Sequence, residues 1–180
     1  MATTKHTLIA LVEDKPGVLN RVASLFRRRG FNIESIAVGH SEVPHLSRMT
    51  IVVDGATTMV EQVRKQLDKV VDVVKVFDIT GDAMIARELA LIKVKATSST
   101  RSEIIEIVDI FRANIVDVAT DSVTIEVTGD EDKINSLFKL LRGFGIKEIA
   151  RTGRIAMARG VSGSLPVEKK SPKAQAKRQK

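Results

Sequence analysis

The residues best placed to do chemistry lie in the stretch LVEDKPGVLNRVASLFRRRGFNIESI, Leu11 to Ile36. Within it, Asp14-Lys15-Pro16-Gly17 falls where an apolar strand must hand over to an amphipathic helix. The first N–H groups of a helix have no partner inside it, and the helix dipole favours a negative group there, so such a turn can cradle a small anion. Gly17 has no side chain to hold a carboxylate away from the backbone. Asn32, just past the glycine that ends the helix, offers both a donor and an acceptor. A turn for a carboxylate beside an amide for an ammonium is the pair of contacts that an amino-acid ligand requires. The same residues also make a plain strand-to-helix connection, in which Asp14 accepts from the first free N–H groups and Pro16 presets φ where its missing donor costs nothing. Spacing leaves both readings open.

The elements that position these residues follow from periodicity. Residues 6–13 read as a strand and 17–29 as a helix. Val18, Val22, Leu25 and Arg29 form one stripe, widened by Leu19, Ala23 and Phe26. Arg27, Arg28 and Arg29 suit the negative end of the dipole, and Gly30 supplies the left-handed stop. Phe31–Gly39 and Leu46–Asp54 read as strands, a helix carries Val60, Val63, Leu67 and Val70, and Val71–Ile79 is strand-like. The order βαββαβ then repeats. Glu88–Ala96 is a strand after the connector Thr80–Ala86, and a helix bears Ile104, Ile107, Val108 and Phe111. Asn114–Thr120 and Ser122–Thr128 pair as a hairpin, a helix carries Ile134, Leu137, Phe138 and Leu141, and Ile146–Arg159 gives a last strand or two. The fold class is therefore α+β, with two ferredoxin-like βαββαβ sandwiches in tandem. A lone sandwich of this size leaves its second sheet face bare, so pairing with another copy is a physical expectation.

Little else in the chain is suited to chemistry. His6, His40 and His45 lie on a strand end and a loop without carboxylates at ligand spacing and read as solvent-exposed, so no metal site is expected. Asp72 with Asp78, and Glu103 with Glu106, read as the wet faces of a strand and a helix. No nucleophile–His–acid order, phosphate loop or dinucleotide turn is present, and no catalytic residue is expected. An RNA-binding sandwich would need aromatics on its central strands, and Leu46–Asp54 and Glu88–Ala96 have none.

Composition sets further bounds. The 180 residues are 43% hydrophobic, enough for real cores, and include no Cys, which excludes disulfides and thiol chemistry and fits a reducing cytoplasm. No signal sequence or membrane span is expected, because Thr7–Val12 is followed at once by Glu13 and Asp14. The net charge of +7 is concentrated at one end: residues 161–180 carry six Lys/Arg and one acid, whereas the other 160 residues hold 23 basic and 21 acidic groups. That C-terminal segment reads as a disordered basic tail. It is either a solubilising extension or a nonspecific contact for acidic partners; the balanced remainder argues against nucleic acid.

Five segments carry a resemblance: EDKPGVLNRVASLFRRRGFNIESIAVG, HLSRMTIVV, RELALIKVKA, FRANIVDV and KEIARTGRIAMARG. Together, in order over residues 6–160, they resemble the regulatory small subunit of acetolactate synthase (acetohydroxyacid synthase). The resemblance implies an ACT domain over residues 1–80 for effector binding and dimerisation, a second ferredoxin-like domain over 81–160, and the tail from 161. It implies a homodimer that associates with a separate catalytic subunit using thiamine diphosphate, Mg²⁺ and FAD, none of them held by this chain. It further implies activation of that subunit and feedback inhibition by a branched-chain amino acid, typically valine. Carried over residue by residue, the effector site falls on Asp14, Lys15, Pro16, Gly17 and Val18 of one copy and on Asn32 and Ile33 of its partner. Some relatives have Asn in place of Asp14, and a carboxylate there can hold an ammonium but repels a carboxylate placed too close. The alternative is a free-standing ACT-domain sensor that controls another enzyme or a transcription regulator.

Overall fold

The computed structural model of the chain describes residues 4–160. The segment from 161 onward, read above as a disordered tail, lies outside the described residues.

The first sandwich runs β1 (Thr4–Glu13), α1 (Val18–Arg28), β2 (Ile33–His40), β3 (Leu46–Gly55), α2 (Thr57–Leu67) and β4 (Val73–Asp78). Its sheet order is β2-β3-β1-β4, with β1 antiparallel to both neighbours. Strand alternation sends Leu8, Ala10 and Val12, with Met49, Ile51 and Val53 of β3, towards the two helices, where Val18, Val22, Leu25, Phe26, Val60, Val63 and Leu67 meet them in one core. Full burial of each such large side chain contributes about 1.5–3 kcal/mol before entropy is counted. The expected stripe on α1 is narrower than the sequence suggests: Leu19 is 49% exposed and Ala23 is exposed too.

The second face of this sheet is not bare, contrary to expectation. The register pairs Thr7 with Val52, Ile9 with Thr50 and Leu11 with Arg48 on that side, and Ile9, Leu11 and Val52 are all buried. Arg48 Nη2 donates to the Ala156 carbonyl at 2.8 Å, and Ala156 lies in the short strand β9 (Ile155–Ala158). Burial lowers the Arg48 pKa below its usual value, with the charge of Glu42 acting in the opposite sense.

The second sandwich runs β5 (Met84–Lys95), α3 (Arg101–Ile110), β6 (Asn114–Val118), β7 (Ser122–Gly129), α4 (Glu131–Leu141), a 3₁₀ turn (Arg142–Phe144) and β8 (Ile146–Arg151). Its order, β6-β7-β5-β8, is that of the first sheet strand for strand, and β9 adds to β5. Ala90, Ile92 and Val94 of β5 and Val123, Ile125 and Val127 of β7 pack under Ile104, Val108, Ile134, Leu137 and Leu141. Asp130 caps α4, its Oδ1 accepting from the Lys133 N–H at 2.9 Å. Arg151 pairs with the buried Glu88, Nη2 to Oε2 at 2.7 Å, and lies over the Phe138 ring at 5.3 Å. The chain is thus two ferredoxin-like sandwiches in tandem. Described residues up to Ile85 and from Ala156 onward form one compact unit, and Ala86–Ile155 form the other.

Candidate functional site

The handover from β1 to α1 is a tight turn. The Val18 N–H reaches back to the Lys15 carbonyl at 3.4 Å, and Gly17 has φ 87° and ψ −10°. These are the values for the third residue of a type II turn, with Pro16 preset at the second. Pro16 therefore shapes the turn and does not begin the helix. A Cβ on Gly17 would meet nothing within 4 Å, so glycine is required for conformation, and the backbone lies open on that side. Gly17 itself is the N-cap, and no side chain caps the helix. Arg21 N–H bonds the Gly17 carbonyl at 3.0 Å, while the N–H groups of Leu19 and Asn20 have no acceptor among the described residues. Two free donors, a glycine and the positive end of α1 thus converge on one spot, which suits a carboxylate.

Contrary to the expectation from sequence, Asp14 does not cap the helix. Its Oδ1 accepts from Ser47 Oγ at 3.2 Å, its Oδ2 lies 3.3 Å from His40 Nδ1, and its N–H donates to the His45 carbonyl at 2.9 Å. Lys15 Nζ pairs with Glu13 Oε2 at 2.7 Å, and that hydrogen bond, followed by the charge of Glu13, raises the Lys15 pKa. Val18 is buried and anchors the start of the helix in the core. Asp72, read from sequence as a wet strand residue, is buried and ion-paired with Arg21 of α1. His6, expected to be exposed, is buried as well. His40, Ser47 and His45 were missed as neighbours of the turn, although the strand order carries the signal. With β3 between β1 and β2, the ends of β1 and β2 and the start of β3 share one end of the sheet.

Asn32 and Ile33 lie elsewhere. Gly30, at φ 71°, ends α1 with the paired bonds Gly30 N–H to Arg27 carbonyl, 3.1 Å, and Phe31 N–H to Phe26 carbonyl, 3.0 Å. The 11 residues of α1 then place Asn32 about 16 Å along the helix axis from the Gly17 turn. Ile33 pairs with Val53, at the opposite end of the sheet from the His40–Ser47 pair. One copy thus gathers Asp14 to Val18 and keeps Asn32 and Ile33 away, so the adjacency read from sequence does not occur within a chain. Among the described residues no group of three or more His, Asp or Glu side chains could hold a metal ion, and no helix is long and apolar enough to cross a membrane.

With this geometry in place, comparison with known proteins is decisive. Residues 8–75 match the AHAS small subunit-like ACT domain, and residues 87–160 match the small subunit of acetolactate synthase. The chain belongs to the acetolactate synthase small subunit family. A protein of Archaeoglobus fulgidus named "Probable acetolactate synthase small subunit" is 60% identical over 87% of this chain and 98% of its own length. The acetolactate synthase small subunit of Mycobacterium bovis is 52% identical over 91% of this chain and 97% of its own. The crystal structure of the acetolactate synthase small subunit from Thermotoga maritima superposes with a TM-score of 0.81 at 45% identity, covering 87% of this chain and 98% of that one.

Proposed function

We propose that this chain is the regulatory subunit of an acetolactate synthase, activating a separate catalytic subunit and conferring feedback inhibition by a branched-chain amino acid, valine in the first instance. The observation that carries the effector reading is the uncapped start of α1 behind Gly17, in a chain whose family is that of the small subunits. The carboxylate of the effector takes the N–H groups of this turn, built by Asp14 to Val18. The ammonium takes Asn32, flanked by Ile33, from a second copy, because α1 separates these residues within one chain. This separation supports a homodimer more directly than any bare sheet face. Residues 1–80 serve effector binding and dimerisation, and residues 81–160 form the second functional domain. Thiamine diphosphate, Mg²⁺ and FAD belong to the catalytic subunit, and the complex works in the cytoplasm. Effector at the seam favours one arrangement of the dimer, which engages the catalytic subunit differently.

The test is the Tm of the purified chain with valine, leucine, isoleucine, threonine or lysine. Ligand at about 100 times its Kd adds roughly 2.7 kcal/mol to the native state, which corresponds to about 2–4 °C per kcal/mol at this size. A rise with a branched-chain amino acid, alone or with the catalytic subunit present, is the expected result. No rise in either setting sinks the effector reading.

A further inference from the structure

The stretch from Glu13 to Arg21 is closed into a ring by a residue far along the chain. Asp72 stands just before β4, which runs antiparallel to β1 with Val73 opposite Val12. That pairing brings Asp72 to the end of β1, where its carbonyl accepts the Glu13 N–H at 2.8 Å. Its buried carboxylate pairs with the guanidinium of Arg21. Arg21 in turn closes the first turn of α1, its N–H donating to the Gly17 carbonyl at 3.0 Å. Glu13, Asp72, Arg21 and Gly17 thus fix both ends of the turn, and Leu19 and Asn20, with their free N–H groups, lie between Gly17 and Arg21. Lys15, inside the turn, feels the same carboxylate: its pKa is raised chiefly by the hydrogen bond and charge of Glu13 and further by the charge of Asp72.

We infer that Asp72, acting through Arg21, is a positioning residue of the effector site, holding the N–H groups of Leu19 and Asn20 in the orientation that receives the carboxylate of the effector. This rests on the effector reading above and adds the residues that preorganise that site. A ligand that binds a turn already ordered does not have to order it, and this saving appears as affinity. Releasing the ring should therefore raise Kd about three- to tenfold. A role through charge alone has the opposite sign. Removal of the Asp72 carboxylate leaves Arg21 and Lys15 more positive in effect, which would draw a carboxylate in more strongly. A role in stability alone leaves the Kd of the folded chain unchanged.

The experiment is calorimetric titration of the full chain with L-valine, or with whichever branched-chain amino acid raises its Tm, under conditions where urea denaturation shows each variant folded. Asp72→Ala keeps the backbone carbonyl and removes the carboxylate, and its Kd should rise about three- to tenfold. Asp72→Asn, whose amide oxygen can still accept from Arg21, should rise less. Arg21→Met, at a largely exposed position, should weaken binding as far as Asp72→Ala does and provides the test should that variant not fold. Adding Asp72→Asn to Arg21→Met should leave Kd where Arg21→Met puts it. Val63→Ala, which opens the core under α2 and leaves the ring intact, should lose stability and keep the wild-type Kd. An unchanged Kd in Asp72→Ala and Arg21→Met, tighter binding in the Asp72 variants, or equal weakening in Val63→Ala overturns the positioning role while leaving the effector site in place. No binding of any branched-chain amino acid to the wild-type chain, with or without the catalytic subunit, overturns the site itself.

Discussion

Asp72 holds both sides of the Gly17 turn: its carboxylate pairs with Arg21, in the first turn of α1, and its carbonyl accepts the N–H of Glu13, the last residue of β1, at 2.8 Å. Asp72 is only 6% exposed, and that guanidinium is its ion-pair partner. Arg21→Ala should destabilise the chain by about 1–3 kcal/mol, chiefly through the carboxylate left buried and unpaired. Adding Asp72→Asn should recover part of the loss, since a neutral amide suffers less from burial. Urea denaturation of the two single variants and the double variant measures the coupling. Additive losses would show that the pair holds nothing together.

Gly17 and Gly30 make a matched pair of controls at the two ends of α1. Both have positive φ, 87° and 71°, and neither would bring a Cβ within 4 Å of another group. Replacing either by Ala should therefore cost about 1–2 kcal/mol of stability from backbone conformation alone. Their effects on effector response should differ. Gly30→Ala should keep the Tm shift with branched-chain amino acid, whereas Gly17→Asp should lose it, because its carboxylate competes for the same N–H groups. Loss of the shift in both would mean that the response reports overall stability and not the turn.

The sequence reading of α1 shows where local pattern suffices and where it fails. Val18, Val22, Leu25 and Phe26 announce their burial by spacing, and Gly30 announces the helix end by the φ that only glycine adopts cheaply. Leu19 and Ala23 fit the same stripe equally well. Both are exposed, because which part of a stripe is covered depends on tertiary packing, which spacing does not encode. A tight turn at Pro16-Gly17 was legible in residue type, but its type II geometry was not, and Asp14 was misassigned because its partners, His40 and Ser47, arrive from strands β2 and β3. Asp72 was misread for a like reason, since its partner Arg21 lies 51 residues away. Asn32 required only arithmetic on helix length to be placed away from the turn.

His6 offers a test of packing. It is 4% exposed, and neither ring nitrogen has a hydrogen-bond partner among the described residues; the nearest carboxylate, Asp78 Oδ2, stands 3.8 Å from Nδ1. A buried polar group without a partner costs about 1–3 kcal/mol. His6→Leu, which keeps an apolar body at the site, should therefore raise stability by about 1 kcal/mol. Urea midpoints at neutral pH measure the change. A loss of stability would show that the imidazole has an indispensable partner.

The second sandwich makes a pH-dependent prediction through Asp121 and Lys147. Lys147 Nζ lies 2.5 Å from Asp121 Oδ2, and this hydrogen bond, then the lysine charge, holds the Asp121 pKa below the ordinary aspartate value. A carboxyl depressed in the folded state contributes stability above its unfolded pKa and loses it as pH falls through the folded one. The window therefore lies below about pH 4, and neutral stability should barely respond, because the group is exposed and screened. Lys147→Met should move the Asp121 titration upward, because the two largest causes of its depression, the hydrogen bond and the charge of Lys147, are both removed. The carboxyl carbon shift followed by NMR across the acid range measures this directly. An unmoved titration in Lys147→Met would show that the ion pair does not persist in solution.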